Sequence, residues 1–230
     1  MPREADPPRS RFVTGVVEAL PLWLGVAPFG FVYAVAGRRV GLTGWEAQLM
    51  SLLVYAGGAQ FTAVRLMAQG APKHLLVVAT FLINLRHLLY GVSVAPYLRA
   101  VRPRLRGAAA FFLVDESYGL AMRAYLEGRG SLQHLVGAGA SLYLAWNLGT
   151  ALGTVFTGAF PDPRGLGLDL VFPLTFVALV APLLREGANR RAALVSFLAG
   201  IAVIPVLPGG VGFIAATLLG LLGGLVGSHD

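Results

Sequence analysis

Long apolar runs recur along the whole chain and exclude most soluble folds. Short polar connections separate them, and most runs are close to the roughly 20 residues that a helix needs to cross a bilayer core. A transmembrane strand needs only about ten residues of alternating polarity, so the runs predict helices and not a barrel. Charged residues make up 13% of the chain, too few to cover a soluble domain of this size. The runs cover residues 12–36, 45–68, 75–98, 107–126, 132–158, 170–184 and 192–227.

These runs predict an all-α, polytopic membrane protein with about seven or eight transmembrane or re-entrant segments, some of them discontinuous. The last run would form a helix about 54 Å long, so we expect it to break in the Pro- and Gly-rich stretch 203–213. We predict a single transporter domain over residues 12–227, between a disordered polar tail (1–11) and a C-terminal tail (228–230). Basic residues in the connections are balanced between the two sides if every run crosses once, which favours a re-entrant or doubly broken first run.

The net charge of +7 derives from 18 basic residues, most of which flank the apolar runs. Basic residues in such positions orient helices and contact lipid headgroups, so the charge predicts contact with the bilayer and not with nucleic acid. The chain has no cysteine, no His-Glu-x-x-His motif and no phosphate-binding loop. We therefore predict no metal, no cofactor and no direct use of ATP.

Charged and polar side chains lie near the middle of two consecutive apolar runs. The third run contains Asn84, Arg86 and His87, and the fourth contains Asp115 and Glu116. A charge at the bilayer centre costs from about 3 to more than about 10 kcal/mol, so each must face protein or water and find a partner. Because consecutive crossing helices are antiparallel, we expect Arg86 to pair with Asp115 or Glu116. The other carboxylate then lies beside a like charge, which favours its protonated form and makes it a candidate proton carrier.

Helical spacing adds two tyrosines to this cluster. Tyr90 lies one turn after Arg86, and Tyr118 lies on the face of Asp115. Two carboxylates, a guanidinium, an imidazole, an amide and two phenols exceed what an ion pair between two helices requires, although such a pair remains the alternative. We predict that substrate or protons bind at Asn84, Arg86, His87, Tyr90, Asp115, Glu116 and Tyr118.

Helix-breaking residues occupy the middle of the second run, where Gly57 and Gly58 are followed by Gln60. Paired glycines loosen a helical turn, and freed backbone groups inside a membrane are tolerated only where they line a cavity. Discontinuous helices in transporters direct such freed N–H groups at anionic substrate groups. We therefore add Gly57, Gly58 and Gln60 to the predicted site.

The first run carries Pro28, Phe29 and Gly30 near its middle, and the fifth run carries Asn147. Proline removes a helical hydrogen bond, so we predict a helix break that lines the same cavity. An ordinary proline kink is the alternative for Pro28. Asn147 is a further candidate for the cavity, and a hydrogen bond to a neighbouring helix is its alternative.

Several of these stretches resemble the azaleucine-resistance (AzlC-type) family, the large subunit of branched-chain amino-acid exporters. The resemblance is carried by "PLWLGVAPFGFVYA", "GWEAQLMSLLVYAGGAQFTAV", "INLRHLLYGVSVAPYL", "DESYGL", "WNLGTALG" and "GLGLDLVFPLTF". It implies a secondary transporter of valine, leucine and isoleucine in the bacterial cytoplasmic (inner) membrane, coupled to protons. It also implies a second, small membrane subunit of the AzlD type.

The residues and the resemblance together predict a secondary exporter and not an enzyme. The ammonium of an amino acid would bind Asp115 or Glu116, and its carboxylate would bind Arg86 or the backbone near Gly57. The apolar branch would pack near Phe111 and Phe112. A passive channel, or an intramembrane enzyme that uses Asp115, Glu116 and His87, is the alternative.

Overall fold

The computed structural model describes residues 8–159, 184, 187–207 and 211–226. All regular elements in these residues are helices, and three helical stretches among them are long and apolar enough to cross a membrane. These stretches are Arg9–Arg39, Lys73–Leu98 and Leu132–Phe156. The predicted all-α membrane fold is confirmed, whereas the number of segments stays a prediction because most of the expected span 170–184 lies outside the described residues.

Backbone contacts divide the chain into two compact units. The first comprises Met1–Ala71 and Ile83–Pro163, and the second comprises Pro72–Leu82 and Arg164–Asp230. Every predicted site residue belongs to the first unit. The single transporter domain over residues 12–227 stays a prediction.

The first apolar run forms one helical path and does not re-enter. Helix α1 (Pro8–Ala19) continues through a 3₁₀ turn (Leu20–Leu22) into α2 (Trp23–Arg39), and α2 passes through Pro28 without a break. The predicted re-entrant first run and the predicted helix break at Pro28 are therefore wrong. Since α1 begins at Pro8, the last residues of the predicted disordered tail are helical, and residues 1–7 lie outside the described residues.

Close contact with helix α9 (Leu132–Phe156) keeps this long path helical. A methyl group built on Gly15 would lie 2.2 Å from the carbonyl oxygen of His134, and one on Gly149 would lie 2.0 Å from that of Ala27. The backbones thus touch near both ends of α9, which compensates for the hydrogen bond lost at proline. Gly15 of α1 meets the start of α9 and Ala27 of α2 meets its second half, so the path through α1 and α2 is parallel to α9.

Charged side chains fasten α1 to the start of α9. The Glu18 carboxylate lies 2.7 Å from Nη1 of Arg129 and 3.0 Å from Nε2 of His134. Arg129 also contacts Glu127, whose pKa is lowered by hydrogen bonds from Arg123 and Arg129. These pairs lie in or beside the connection between the fourth and fifth runs, away from the predicted site.

Each of the second, third and fourth runs forms two shorter helices. The chain leaves helical geometry at residues 54–56, bends at Leu85, and leaves it again at 112–114. The prediction of discontinuous helices is confirmed here. The six helices are α3 (Gly44–Leu53), α4 (Gly57–Ala68), α5 (Lys73–Asn84), α6 (Arg86–Val94), α7 (Pro103–Phe111) and α8 (Asp115–Leu126).

The described part of the second unit contains a helix pair. Helix α10 (Gly187–Val203) ends and α11 (Val211–Leu225) begins within the Pro- and Gly-rich stretch 203–213, where the sequence predicts a break. A methyl group on Gly220 would lie 1.6 Å from Oγ of Ser196, so small residues permit this packing.

Candidate functional site

Arg86 and Asp115 form an ion pair between the two broken helices α6 and α8. Nη1 of Arg86 lies 3.0 Å from Oδ2 of Asp115, and the two side chains are 25% and 18% exposed. Each residue is the first of its helix. Of the two carboxylates that the sequence offered as partners, Asp115 is the one that pairs.

Aromatic side chains complete the surroundings of this pair. The Tyr90 hydroxyl donates a hydrogen bond to Oδ1 of Asp115, and the Tyr90 ring stacks on Tyr118 with centroids 4.5 Å apart. The edge of the His87 ring meets Tyr90 at 5.6 Å. Nδ1 of His87 lies 3.0 Å from the carbonyl oxygen of Asn84, and since a carbonyl only accepts, Nδ1 carries the hydrogen. The structure thus assembles these predicted residues around Asp115.

The start of α4 lies against the same guanidinium. A methyl group on Gly58 would be only 3.0 Å from Nη2 of Arg86. Helix α4 begins at Gly57 because the chain turns at Tyr55, whose φ of 42° lies in the left-handed region. The predicted break in the second run is therefore present, and the glycine leaves room for Arg86. The positive ends of α4 and α8 both lie at this cluster.

Two polar atoms of the cluster have no hydrogen-bond partner in the described part of the chain. Nε of Arg86 and Oδ1 of Asn84 are buried without a hydrogen bond. The half-buried carboxylate of Glu116 makes no ion pair there and accepts a hydrogen bond from its own main-chain N–H. A buried unpaired donor or acceptor costs about 1–3 kcal/mol. The cluster therefore offers one free donor, one free acceptor and one carboxylate without a cationic partner.

Four aromatic rings pack beside the two breaks. The Tyr55 ring lies 4.9 Å from Tyr143 and 5.8 Å from Phe111, and Phe111 lies 5.3 Å from Phe112. The Tyr55 hydroxyl donates to the carbonyl of Gly139 at 3.0 Å, which holds this residue in its unusual backbone conformation. Sequence reasoning found Phe111 and Phe112 but missed the two tyrosines, which carry no signal in an apolar run.

Gln60 and Asn147 lie in a second cluster and make no direct contact with the Arg86–Asp115 pair in the described residues. Nε2 of Gln60 donates to Oγ of Ser51 at 3.1 Å, and Asn147 accepts from Gln48 at 2.9 Å. The predicted single site thus divides into two clusters. The ring of Trp146 belongs to the second cluster through its Nε1–H, which donates to Ser51, and its Cη2 lies 2.9 Å from a methyl group built on Gly57.

Phe29 and Gly30 serve packing and do not line the predicted cavity. Both are buried, and the Phe29 ring meets Phe61 edge-on at 6.5 Å. A methyl group on Gly30 would lie 2.4 Å from the carbonyl of Trp146. The prediction fails because the backbone of α9 occupies the space beside Gly30, so the glycine leaves no cavity there. The described residues also contain no group of three or more histidine and acidic side chains that could hold a metal ion.

Comparison with known proteins identifies one family and several relatives of this chain. The model of the AzlC protein family matches residues 21–160, more than half of the chain. An uncharacterised membrane protein of Archaeoglobus fulgidus is 32% identical, over 92% of this chain and 93% of its own length. Inner membrane protein YgaZ of Escherichia coli is 26% identical, over 87% and 85%, respectively. The branched-chain amino acid transport protein AzlC of Bacillus subtilis is 25% identical, over 89% and 80%.

No solved structure matches the chain significantly. Two of these relatives are named as a membrane protein and an inner membrane protein, the matches cover most of their length, and the apolar helices agree with that location. A family match over more than half of the chain, together with a relative above 30% identity, establishes kinship. The chain is therefore a multi-pass membrane protein that belongs to the AzlC family of transport proteins.

Proposed function

We propose that this protein is the large subunit of a secondary exporter that carries valine, leucine and isoleucine out of the bacterial cell in exchange for protons. The name of the Bacillus subtilis relative supports the substrate class. The observation that carries the proposal is the Arg86–Asp115 pair, because it leaves a free donor, Nε of Arg86, and leaves the Glu116 carboxylate without a cationic partner. A small AzlD-type membrane subunit belongs to the proposed transporter.

The free groups match the two charges of an amino acid. The substrate carboxylate binds Nε of Arg86 and the N–H groups at the start of α4, where the helix dipole adds to the attraction. The substrate ammonium binds the carboxylate of Glu116 and Oδ1 of Asn84. The branched side chain packs on the ring of Phe111.

Charge balance supplies a reason for proton coupling. The cluster contains two carboxylates, Asp115 and Glu116, and one guanidinium. One negative charge is therefore left without a counterion in a poorly solvated place, where an unpaired charge is costly. Either a proton or the substrate ammonium can neutralise Glu116, but not both at once. Competition of the two for one carboxylate makes the protein an exchanger.

Replacement of Glu116 by glutamine tests this exchange. We expect Glu116→Gln to abolish export of valine against its gradient, because the amide can neither release a proton nor balance an ammonium. The measurement is uptake of labelled valine into liposomes that contain the purified protein, with and without the small subunit and an imposed pH gradient. Glu127→Gln is the matched control, since its ion pairs are exposed and contribute little.

The same experiment distinguishes the other functions. A pH-driven accumulation of valine that survives Glu116→Gln would contradict the proton step. A passive channel would equilibrate valine but never concentrate it. An intramembrane enzyme would return a chemically altered product in the absence of any gradient.

A further inference from the structure

Beyond the charged cluster, a neutral polar cluster is buried between α3, α4 and α9. Its centre is Ser51, whose Oγ accepts hydrogen bonds from Gln60 and Trp146, both at 3.1 Å. The hydroxyl of Thr150 lies 2.8 Å from the same atom. The side chains of Ser51, Gln60 and Thr150 are fully buried. We call this group, comprising Gln48, Ser51, Gln60, Trp146, Asn147 and Thr150, the Ser51 cluster.

The hydrogen bonds determine which way the Gln60 amide points. The hydroxyl of Thr150 donates to the main-chain carbonyl of Trp146 at 3.0 Å, because a carbonyl only accepts. Ser51 must then donate its own hydrogen to Thr150, so it can only accept from Gln60. Nε2 of Gln60 therefore faces Ser51, and Oε1 points elsewhere, buried and without a donor.

The orientation of the Gln48 amide follows from its hydrogen bonds in the same way. Nδ2 of Asn147 donates to the main-chain carbonyl of Tyr143 at 2.9 Å, so its Oδ1 must accept from Nε2 of Gln48. Oε1 of Gln48 is left buried and without a donor. Gln48 and Ser51 are three residues apart on one face of α3, and their partners Asn147 and Thr150 are three residues apart on α9, so the two hydrogen-bonded pairs are neighbours.

A main-chain oxygen adds to these two acceptors. At the end of α3 the carbonyl of Met50 accepts from the N–H of Val54, and that of Leu52 accepts from the Tyr143 hydroxyl. The carbonyl of Ser51 accepts no hydrogen bond from any described residue, although Ser51 is fully buried. It lies at the negative end of the helix dipole, which favours a cation.

We propose that the Ser51 cluster binds a small monovalent cation, for which sodium is the probe. Buried oxygen acceptors without donors require a cation or a donor, and these are neutral oxygens of the kind that hard cations prefer. The cluster contains no carboxylate, which argues against a divalent ion. Discontinuous helices place unwound carbonyls in such sites. This cation site is separate from the Glu116 proton step, and a buried water molecule is the competing occupant.

Thermal unfolding of the purified full-length protein tests this proposal without any amino acid present. We compare the melting temperature Tm in sodium, potassium and choline chloride at equal ionic strength. Sodium well above its dissociation constant should raise Tm by about 3 °C or more relative to choline. Gln60→Leu and Gln48→Leu should each abolish this difference, because each removes one free oxygen. Gln69→Leu, at an exposed position after α4, should retain it.

Equal melting temperatures of the wild-type protein in all three salts would overturn the proposal and leave a buried water as the occupant. A sodium effect that persists in Gln48→Leu and Gln60→Leu would overturn it as well, because the ion would then bind elsewhere. If Gln60→Leu does not fold, Gln48→Leu and the binding of radioactive sodium to the wild-type protein decide the question. Failure of valine transport would leave this result unchanged, since the assay measures cation binding alone.

Discussion

Replacement of Arg86 by glutamine should lower valine export at least about 100-fold. The substitution removes the partner of Asp115 and leaves two carboxylates without a cation in the membrane, and breaking a buried pair from one side costs about 3–5 kcal/mol. It also removes the donor proposed for the substrate carboxylate. The measurement is efflux of labelled valine from liposomes, normalised to folded protein. Arg102→Gln is the control, because Arg102 is exposed and outside the cluster.

A double variant separates the structural role of this pair from its role in transport. Arg86→Gln with Asp115→Asn removes both charges together, so we expect it to recover most of the thermal stability that Arg86→Gln loses. Export should not recover, because no guanidinium remains for the substrate. Wild-type export by the folded double variant would show that the pair only joins α6 to α8, and the proposed substrate site would be wrong.

Replacement of Gly149 by alanine should lower stability by overpacking a helix contact. The added methyl group would lie 2.0 Å from the carbonyl oxygen of Ala27, which a backbone can avoid only by moving. Overpacking of this kind costs about 1–3 kcal/mol, so we expect Tm to fall by several degrees, and Gly149→Leu to give no folded protein. The measurements are thermal unfolding and the yield of monodisperse protein in detergent.

Gly119→Ala is the matched control for this contact. Gly119 is also helical, but a methyl group there meets no atom within 4 Å. The alanine should raise helix propensity and leave Tm unchanged or slightly higher. Equal effects of alanine at both positions would show that α2 and α9 do not approach as closely as described.

The helical class, the broken second run and the charged pair can be predicted from the sequence. Each of them follows from a large free-energy cost that local residues would otherwise carry inside the membrane. A charge at mid-membrane must find a partner, so Arg86 and the acidic residues of the next run identify one another. Gly57 and Gly58 mark the start of α4 because the preceding residues leave helical geometry. The proposed transport roles of these residues stay predictions.

Pro28 and Gln60 show where sequence reasoning stops. Proline breaks or only bends a helix depending on its neighbours, and the glycines of α9 that support α2 are distant in sequence. The role of Gln60 likewise depends on its environment, since a neutral amide can bind any hydroxyl that the fold brings near. Only the structure shows that this hydroxyl belongs to Ser51 and not to a residue near Arg86.

The close, parallel contact of the α1–α2 path with α9 has a consequence for how the protein moves. The α1–α2 path and α9 pack backbone to backbone, whereas the second and fourth apolar runs each form two short helices separated by a non-helical break. We therefore expect the conformational change of the proposed transport cycle to be a movement of α3, α4, α7 and α8 relative to the α1–α2 path and α9. A covalent cross-link between α1 and α9 should be tolerated during turnover, but one between α4 and α8 should arrest it.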